Sequence, residues 1–491
     1  MEKQVTIRRY GNVIDLSPDG RTALPDAVRR LVEPELSYRQ RRFLRGAEQF
    51  QEDGSIRKVE TVTRFLFAYD GTGRLAVNAG FLRRLGNLLR ENGYKVLYQD
   101  TTPPAHPLHI CREAVTRRFS YRPRQEECLE SILSNRCGQI WAVPGFGKMV
   151  IVTMVCLALQ DARIHITTKR KDIVQKIVQM IGKYMPCGQV GGGVYRPGQR
   201  VTVYTADSLH KSPADADVLL VDEAHELMAD RAASHLMRYK FSRNYAFTAS
   251  PEGRFDGADA RLEAIFGQPI FELHYPEAVE LGLVVPLEVE WCDVPMSYNP
   301  CAGVRNDVTR KRQAIWRNAV RNEIIARKVN SFSNQQTLIL VDTVEHAVHL
   351  GSFLPQAQLV YASMEEADLR RYQRQSLLPP GFMVMDRRER ERAREAFEKG
   401  DIQLAIATGV WAVGVDFTRL QVLVRADAGA SEIASIQMPG RVSRLNLDGG
   451  KEVGIVCDFH DGFDSSYRQK AMARYRHYRK MGWEQNTVNP R

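Results

Sequence analysis

The chain has 491 residues and a mass of 55.8 kDa, 44% of them hydrophobic and 26% charged, so several cores can be buried and wholesale disorder is excluded. Lys and Arg total 69 against 58 Asp and Glu, a formal charge of +11, which favours a polyanionic partner and makes nucleic acid the first candidate. None of the eight cysteines falls in a C-x-x-C pair, which argues against a zinc ribbon or a redox motif. They read as reduced thiols. Behind the basic residues of Met1 to Tyr10 there is no apolar run, and the most apolar stretch, residues 150–159, is about half the length needed to cross a bilayer. A cytoplasmic protein without a membrane segment is expected.

Residues 1–115 read as a small α+β domain, with alternating segments at Val5 to Ile7 and Val62 to Tyr69, a helix over Phe81 to Asn92 and a strand over Tyr94 to Leu97. Residues 1–120 hold 21 basic and 14 acidic residues, the densest part being Tyr38-Arg-Gln-Arg-Arg-Phe-Leu-Arg45, which reads as a basic helix with a solvated face. From residue 120 onward, short β-branched runs alternate with longer amphipathic stretches, as in parallel sheets flanked by helices. Strands are expected at Gln139 to Val143, Arg163 to Thr168, Val201 to Tyr204, Val218 to Val221 and Tyr245 to Thr248, with helices at Met149 to Gln160 and Asp172 to Tyr184. The rhythm pauses near Gly282 to Pro295. It resumes with strands at Thr337 to Val341, Gln358 to Tyr361, Leu404 to Ala407, Val422 to Arg425 and Val453 to Asp458, and a helix over Val344 to Phe353. The expected domains are 1–115, 116–286, 287–462 and a basic C-terminal helix in 463–491.

The first of these α/β strands runs into Ala142-Val-Pro-Gly-Phe-Gly-Lys-Met149 and then an apolar helix. Gly145 and Gly147 permit backbone angles that aim successive N–H groups at phosphate oxygens, the helix N-terminus adds its dipole, and Lys148 adds a point charge. An ordinary strand-to-helix turn would read the same way from these residues alone. About 75 residues on, however, the apolar Val218 to Val221 ends in Asp222-Glu-Ala-His225. Carboxylates at the carboxyl end of a strand beside a phosphate loop suit Mg²⁺ at Asp222 and activation of a water at Glu223.

From here the chain resembles the superfamily 2 helicases and translocases, which implies two tandem RecA-like parallel-sheet domains, ATP and Mg²⁺ as cofactors, and nucleic-acid-stimulated hydrolysis. The resemblance makes Pro144, Gly145, Phe146, Gly147, Lys148 and Met149 the phosphate loop, and Phe119, Tyr121, Arg122 and Gln125 an adenine-reading segment. His225, Thr248, Ser250 and Gln437 would couple hydrolysis to movement, while Gly414 and Asp416 would face the nucleotide. Arg441 and Arg444, in Gln437-Met-Pro-Gly-Arg-Val-Ser-Arg444, would reach the γ-phosphate, with Arg444 as arginine finger. Thr167, Thr168, Lys169, Thr205, Ser208 and Thr408 would grip a nucleic-acid backbone without reading its bases. The small basic N-terminal domain, the Gly191-Gly-Gly193 turn and the DEAH box resemble the XPB-like and UvsW-like branch. That branch implies a monomeric motor on single-stranded, duplex or branched DNA, its N-terminal domain engaging DNA, in phage or cellular replication, recombination or repair. An RNA helicase stays open.

Two departures stand out, and the C-terminal stretch invites the same comparison. Met149 holds the position where the family has Thr or Ser, and a thioether is a poor partner for a hard cation. Either water completes the Mg²⁺ shell or the chain is an ATPase-weak clamp on DNA. The segment Ser376 to Arg388 is an extra loop, leading into a helix of alternating Arg and Glu that reads either as salt-bridged or as a DNA contact. In the basic stretch Tyr467 to Trp483, the aromatics Tyr475, Tyr478 and Trp483 either stack on bases or pack on the second α/β domain.

Overall fold

The computed structural model describes residues 3–43, 59–102, 108–212, 216–228, 230–238, 241–249, 258–411, 417–430, 432–446 and 449–488. It divides into two units, Met1–Ala142 with Gly147–Leu273, and Val143–Phe146 with His274–Arg491.

In the first unit, alternation along β1 (Gln4–Tyr10) and β2 (Val13–Ser17) buries Val5, Ile7, Ile14 and Leu16 on one face, where the helix Leu82–Glu91 inserts Leu85 and Leu89. With β5 (Phe67–Tyr69), β6 (Leu75–Asn78) and β7 (Lys95–Asp100) they form a sheet of order β5-β6-β2-β1-β7. The basic segment is not a helix. Ser37–Phe43 is β3, paired antiparallel with β4 (Val59–Phe65), Ser37 opposite Phe65 and Phe43 opposite Val59. Arg and Gln favour helix only weakly, and the partner strand, rich in β-branched residues, overrides them. Tyr38 also gains a tertiary anchor, since Arg261 Nε donates to its hydroxyl at 2.5 Å. The single strand expected over Val62 to Tyr69 is divided at Leu66, β4 joining the ribbon and β5 the five-stranded sheet.

The next sheet holds β8 (Cys137–Ala142), β9 (Ile164–Thr168), β10 (Gly188–Gly191), β11 (Val194–Arg196), β12 (Val201–Thr205), β13 (Val218–Asp222), β14 (Arg243–Thr248) and β15 (Pro269–Leu273). Its order is β11-β10-β12-β9-β13-β14-β8-β15, parallel throughout except for the β10–β11 hairpin. That hairpin turns on Gly191–Gly193, all at positive φ, and a Cβ at Gly191 would stand 2.2 Å from Thr205 Oγ1.

The second unit carries β16 (Leu287–Asp293), β17 (Thr337–Leu340), β18 (Gln358–Val360), β19 (Leu404–Ala407), β20 (Val422–Arg425), β21 (Gly454–His460) and β22 (Glu484–Val488). All neighbours in the order β18-β19-β17-β20-β21-β16-β22 are parallel. The expected pause near 282–295 is therefore a correction: Leu287–Asp293 lies between β21 and β22 as a strand. After the helix Ser465–Lys480 the chain adds β22, a polar edge strand with no apolar pattern to betray it. Two parallel α/β sheets preceded by a sheet-rich region make the tandem RecA-like architecture. Among the described residues no helix is long and apolar enough to cross a membrane.

Candidate nucleotide site and nucleic-acid track

The carboxyl ends of five parallel strands in the first unit carry the residues with chemistry: β8 leads to the loop before Lys148, β13 ends in Asp222, β14 in Thr248, β9 in Thr168 and β12 in Thr205. Crevices beyond the carboxyl ends of parallel strands are where open α/β sheets bind ligands. The loop reaches its shape through Gly145 and Gly147, at φ of 96° and 94°, and Gly147 caps the helix Lys148–Ala158. A Cβ at Gly147 would come within 2.9 Å of the Gln125 side-chain amide and displace it, while the left-handed φ is what favours glycine here. Gln125 is itself buried and accepts from the Arg122 N–H at 3.1 Å, which fixes its side chain within the segment Phe119 to Gln125. Phe119 packs on Tyr184 with ring centroids 4.9 Å apart, and Tyr121 is half-buried.

Lys148 Nζ donates to the Ala142 carbonyl at 3.2 Å and lies 3.8 Å from Glu223 Oε1. Glu223 adopts a left-handed conformation, φ 46°, which a non-glycine residue holds only when its surroundings enforce it. Its Oε2 is buried without a hydrogen-bond partner among the described residues. Beside it, burial first and then the Glu223 carboxylate raise the pKa of Asp222 to about 7, against the pull of Lys148. His225 Nδ1 and Thr248 Oγ1 share a hydrogen bond of 2.8 Å, and the same nitrogen lies 3.6 Å from Glu223 Oε2. A chain of contacts thus runs from the loop lysine to the end of β14.

A triphosphate with its metal fits these residues. Asp222, whose pKa is raised, and the Glu223 oxygen that has no hydrogen-bond partner among the described residues suit a cation, while the glycine loop and the Lys148 ammonium at a helix N-terminus suit phosphate. Mg²⁺ is commonly held by one or two carboxylates with phosphates and water, so one Asp suffices.

Along the rest of this edge, Thr167 and Thr168 are buried and their hydroxyls have no partner among the described residues, whereas Lys169 is exposed. Thr205 Oγ1 donates to Ser208 Oγ at 2.9 Å. Arg170 and Glu226, which the sequence did not single out, pair at 3.5 Å between the end of β9 and the turn after the DEAH residues. They could have been suspected only from their places one residue beyond the Thr-Thr-Lys and DEAH segments.

In the second unit, Thr408 follows β19 and Gln437 ends the helix Glu432–Gln437. Arg441 is buried in the turn Pro439–Arg441, and Arg444 is half-buried. Lys451, which sequence reasoning passed over, donates from Nζ to the Arg444 carbonyl at 2.9 Å. Ser250, Gly414 and Asp416 lie outside the described residues. The loop of residues 376–388 packs Leu377, Leu378, Phe382, Val384 and Met385 against the apolar core of the second unit. In the helix Arg387–Lys399, Arg394 pairs with both Glu391 and Glu398. Tyr478 and Trp483 are buried and stacked at 5.4 Å, so in this stretch they are packing residues.

The family model "Type III restriction enzyme, res subunit" matches residues 118–253, and the helicase conserved C-terminal domain matches 318–446. A putative helicase of Sulfolobus islandicus filamentous virus is 21% identical over 296 residues, 58% of this chain and 48% of that protein. The chain thus spans about half the length of that curated relative. Among solved structures, S. cerevisiae Dbp5 bound to RNA and ADP BeF3 matches with a TM-score of 0.52 at 15% identity, covering 77% of this chain and 93% of that one. The type ISP restriction-modification enzyme LlaBIII bound to DNA matches with 0.51 at 12% identity, covering 76% and 31%. At such identities the structural likeness speaks for the fold. The two family matches, one on each parallel sheet, enclose the phosphate loop, the carboxylate pair and the arginine segment in helicase order, and together they support a superfamily 2 helicase.

Proposed function

We propose that the chain is an ATP-driven DNA helicase or translocase of the XPB-like and UvsW-like branch, remodelling duplex or branched DNA in replication, recombination or repair. The observation that carries the ATPase reading is the constellation at one sheet edge: Lys148 within 3.8 Å of Glu223, Glu223 strained at positive φ, and His225 bonded to Thr248. Lys148 and the loop N–H groups hold the triphosphate, Asp222 holds the Mg²⁺ shell, and Glu223 orients water and takes its proton. Arg441 and Arg444 stabilise the charge that develops on the phosphoryl oxygens, with Arg444 as the finger. Bound ATP supplies the phosphoanhydride whose hydrolysis drives the cycle. Strain and hydrogen bonding along Glu223, His225 and Thr248 pass its outcome to the track, where Lys169 and Ser208 grip phosphates. Thr167, Thr168, Thr205 and Thr408 are buried, so their part is to orient the main chain at the ends of their strands.

The surplus of basic residues in the first 120 positions supports DNA through its phosphates, a term that duplex and single strand share. An RNA reading is favoured by the RNA-bound state of the Dbp5 relative, and a clamp without turnover by Met149. One assay separates all three: ATP hydrolysis with single-stranded, duplex, forked and four-way DNA and with RNA, beside Lys148→Ala and Glu223→Gln. Stimulation by duplex or branched DNA that both variants abolish is the expected result. Stronger stimulation by RNA contradicts the DNA assignment, and tight DNA binding without turnover establishes the clamp.

A further inference from the structure

Lys451 follows Gly449 and Gly450, which turn at φ of 87° and 83° with open space around them, yet only 9% of the lysine is exposed. Its ammonium donates to the Arg444 carbonyl at 2.9 Å. Among the described residues no carboxylate pairs with it. The charge it faces is the Arg444 guanidinium, and burial together with that like charge pushes its pKa down to about 7. An ammonium set beside a like charge is expensive to bury, and a packing role would be filled better by an apolar side chain.

The rest of the arginine segment is tied by its own backbone and hydroxyls. Ser443 Oγ donates to the Gly440 carbonyl at 2.8 Å, the Val442 N–H to the Pro439 carbonyl at 2.8 Å, and the Val285 N–H to the Ser443 carbonyl at 2.7 Å. The Arg444 carbonyl comes next along the chain, and Lys451 is the side chain that holds it.

We propose that Lys451 is a positioning residue for Arg444. It tethers the main chain so that the guanidinium stays presented to a phosphoryl group. This rests on the reading of Arg444 as the finger. A misplacement of about 1 Å in a catalytic group costs on the order of 10²-fold, so a lost tether has a measurable effect.

The test compares Lys451→Met, Lys451→Gln, Arg444→Ala and the double variant Lys451→Met with Arg444→Ala in the full chain. Affinity for ADP with aluminium fluoride, affinity for ADP alone, the kcat and KM of ATP hydrolysis, and the melting temperature are the readouts. Lys451→Met is expected to weaken ADP–aluminium fluoride and lower kcat by about tenfold or more, with ADP affinity and KM held within about twofold and no fall in melting temperature. Lys451→Gln, which keeps a donor for the carbonyl, is expected to stay within about threefold of the wild type. The double variant should be no worse than Arg444→Ala, because both changes remove one device. Wild-type ADP–aluminium fluoride binding by Lys451→Met while Arg444→Ala weakens it would overturn the tether, as would effects that multiply in the double variant. If Arg444→Ala itself binds like the wild type, the finger reading fails and the tether with it. Lys451→Ala serves as the removal variant if the methionine does not fold.

Discussion

At the scale of single residues, the site combines groups that are costly in the free protein. Asp222 is the clearest case. Its folded pKa of about 7 lies above the ordinary value near 3.8, so the folded state binds more protons between the two, and stability falls as pH rises through that interval. Asp222→Asn removes this cost. Without nucleotide or Mg²⁺, thermal melts should show the variant more stable than the wild type at pH 8 and equal to it near pH 4, while Mg²⁺-dependent turnover is lost. An unchanged difference between the two pH values would mean that the aspartate is not carrying a buried charge. On the proposed reading of the loop, Met149 is the complementary case, a residue that withholds a ligand. Met149→Thr is expected to raise Mg²⁺ affinity and ATP turnover, read as a Mg²⁺ titration of hydrolysis, and identical curves would remove Met149 from the account of the metal shell. The loop, the carboxylate pair and the arginines were legible in the sequence because each depends on residue type at fixed spacing. Lys451 and Arg170 were not, because a lone lysine or arginine in a basic chain has no pattern until the fold brings its partner close.

Among the elements, the parallel strands were legible and the polar ones were not. Short apolar runs such as Val218 to Val221 announce a strand buried on both faces, whereas Ser37–Phe43 and Glu484–Val488 are strands only because a neighbour pairs with them. The C-terminal helix shows the same limit. Its basic residues suggest a solvated or nucleic-acid-facing surface, but Arg474 is buried and ion-paired with Asp458 at 2.8 Å, and it also donates to the Gly429 carbonyl at 3.1 Å. Tyr478 donates to the same Asp458 at 2.7 Å and receives Arg425, whose own partner is Asp427. This network pins the C-terminal helix to β20, β21 and the segment before the helix Glu432–Gln437, so it braces the region that presents the arginines. Arg474→Ala leaves Asp458 without its ion-pair partner and is expected to lower stability by about 3–5 kcal/mol, measured by chemical denaturation. A loss below about 1 kcal/mol would place Arg474 with ordinary surface charges.

For the whole molecule, the phosphate loop follows a strand of one parallel sheet and the arginine segment belongs with the other, and the proposed mechanism gives residues of both a part in hydrolysis. The most direct measurement is the rate of ATP hydrolysis by wild type and Arg444→Ala, each with and without saturating duplex DNA. If cleavage depends on both sheets, DNA should accelerate the wild type, and the variant should lose about 10³-fold or more of the accelerated rate while binding ATP normally. A variant that hydrolyses ATP in the presence of DNA as fast as the wild type would contradict it.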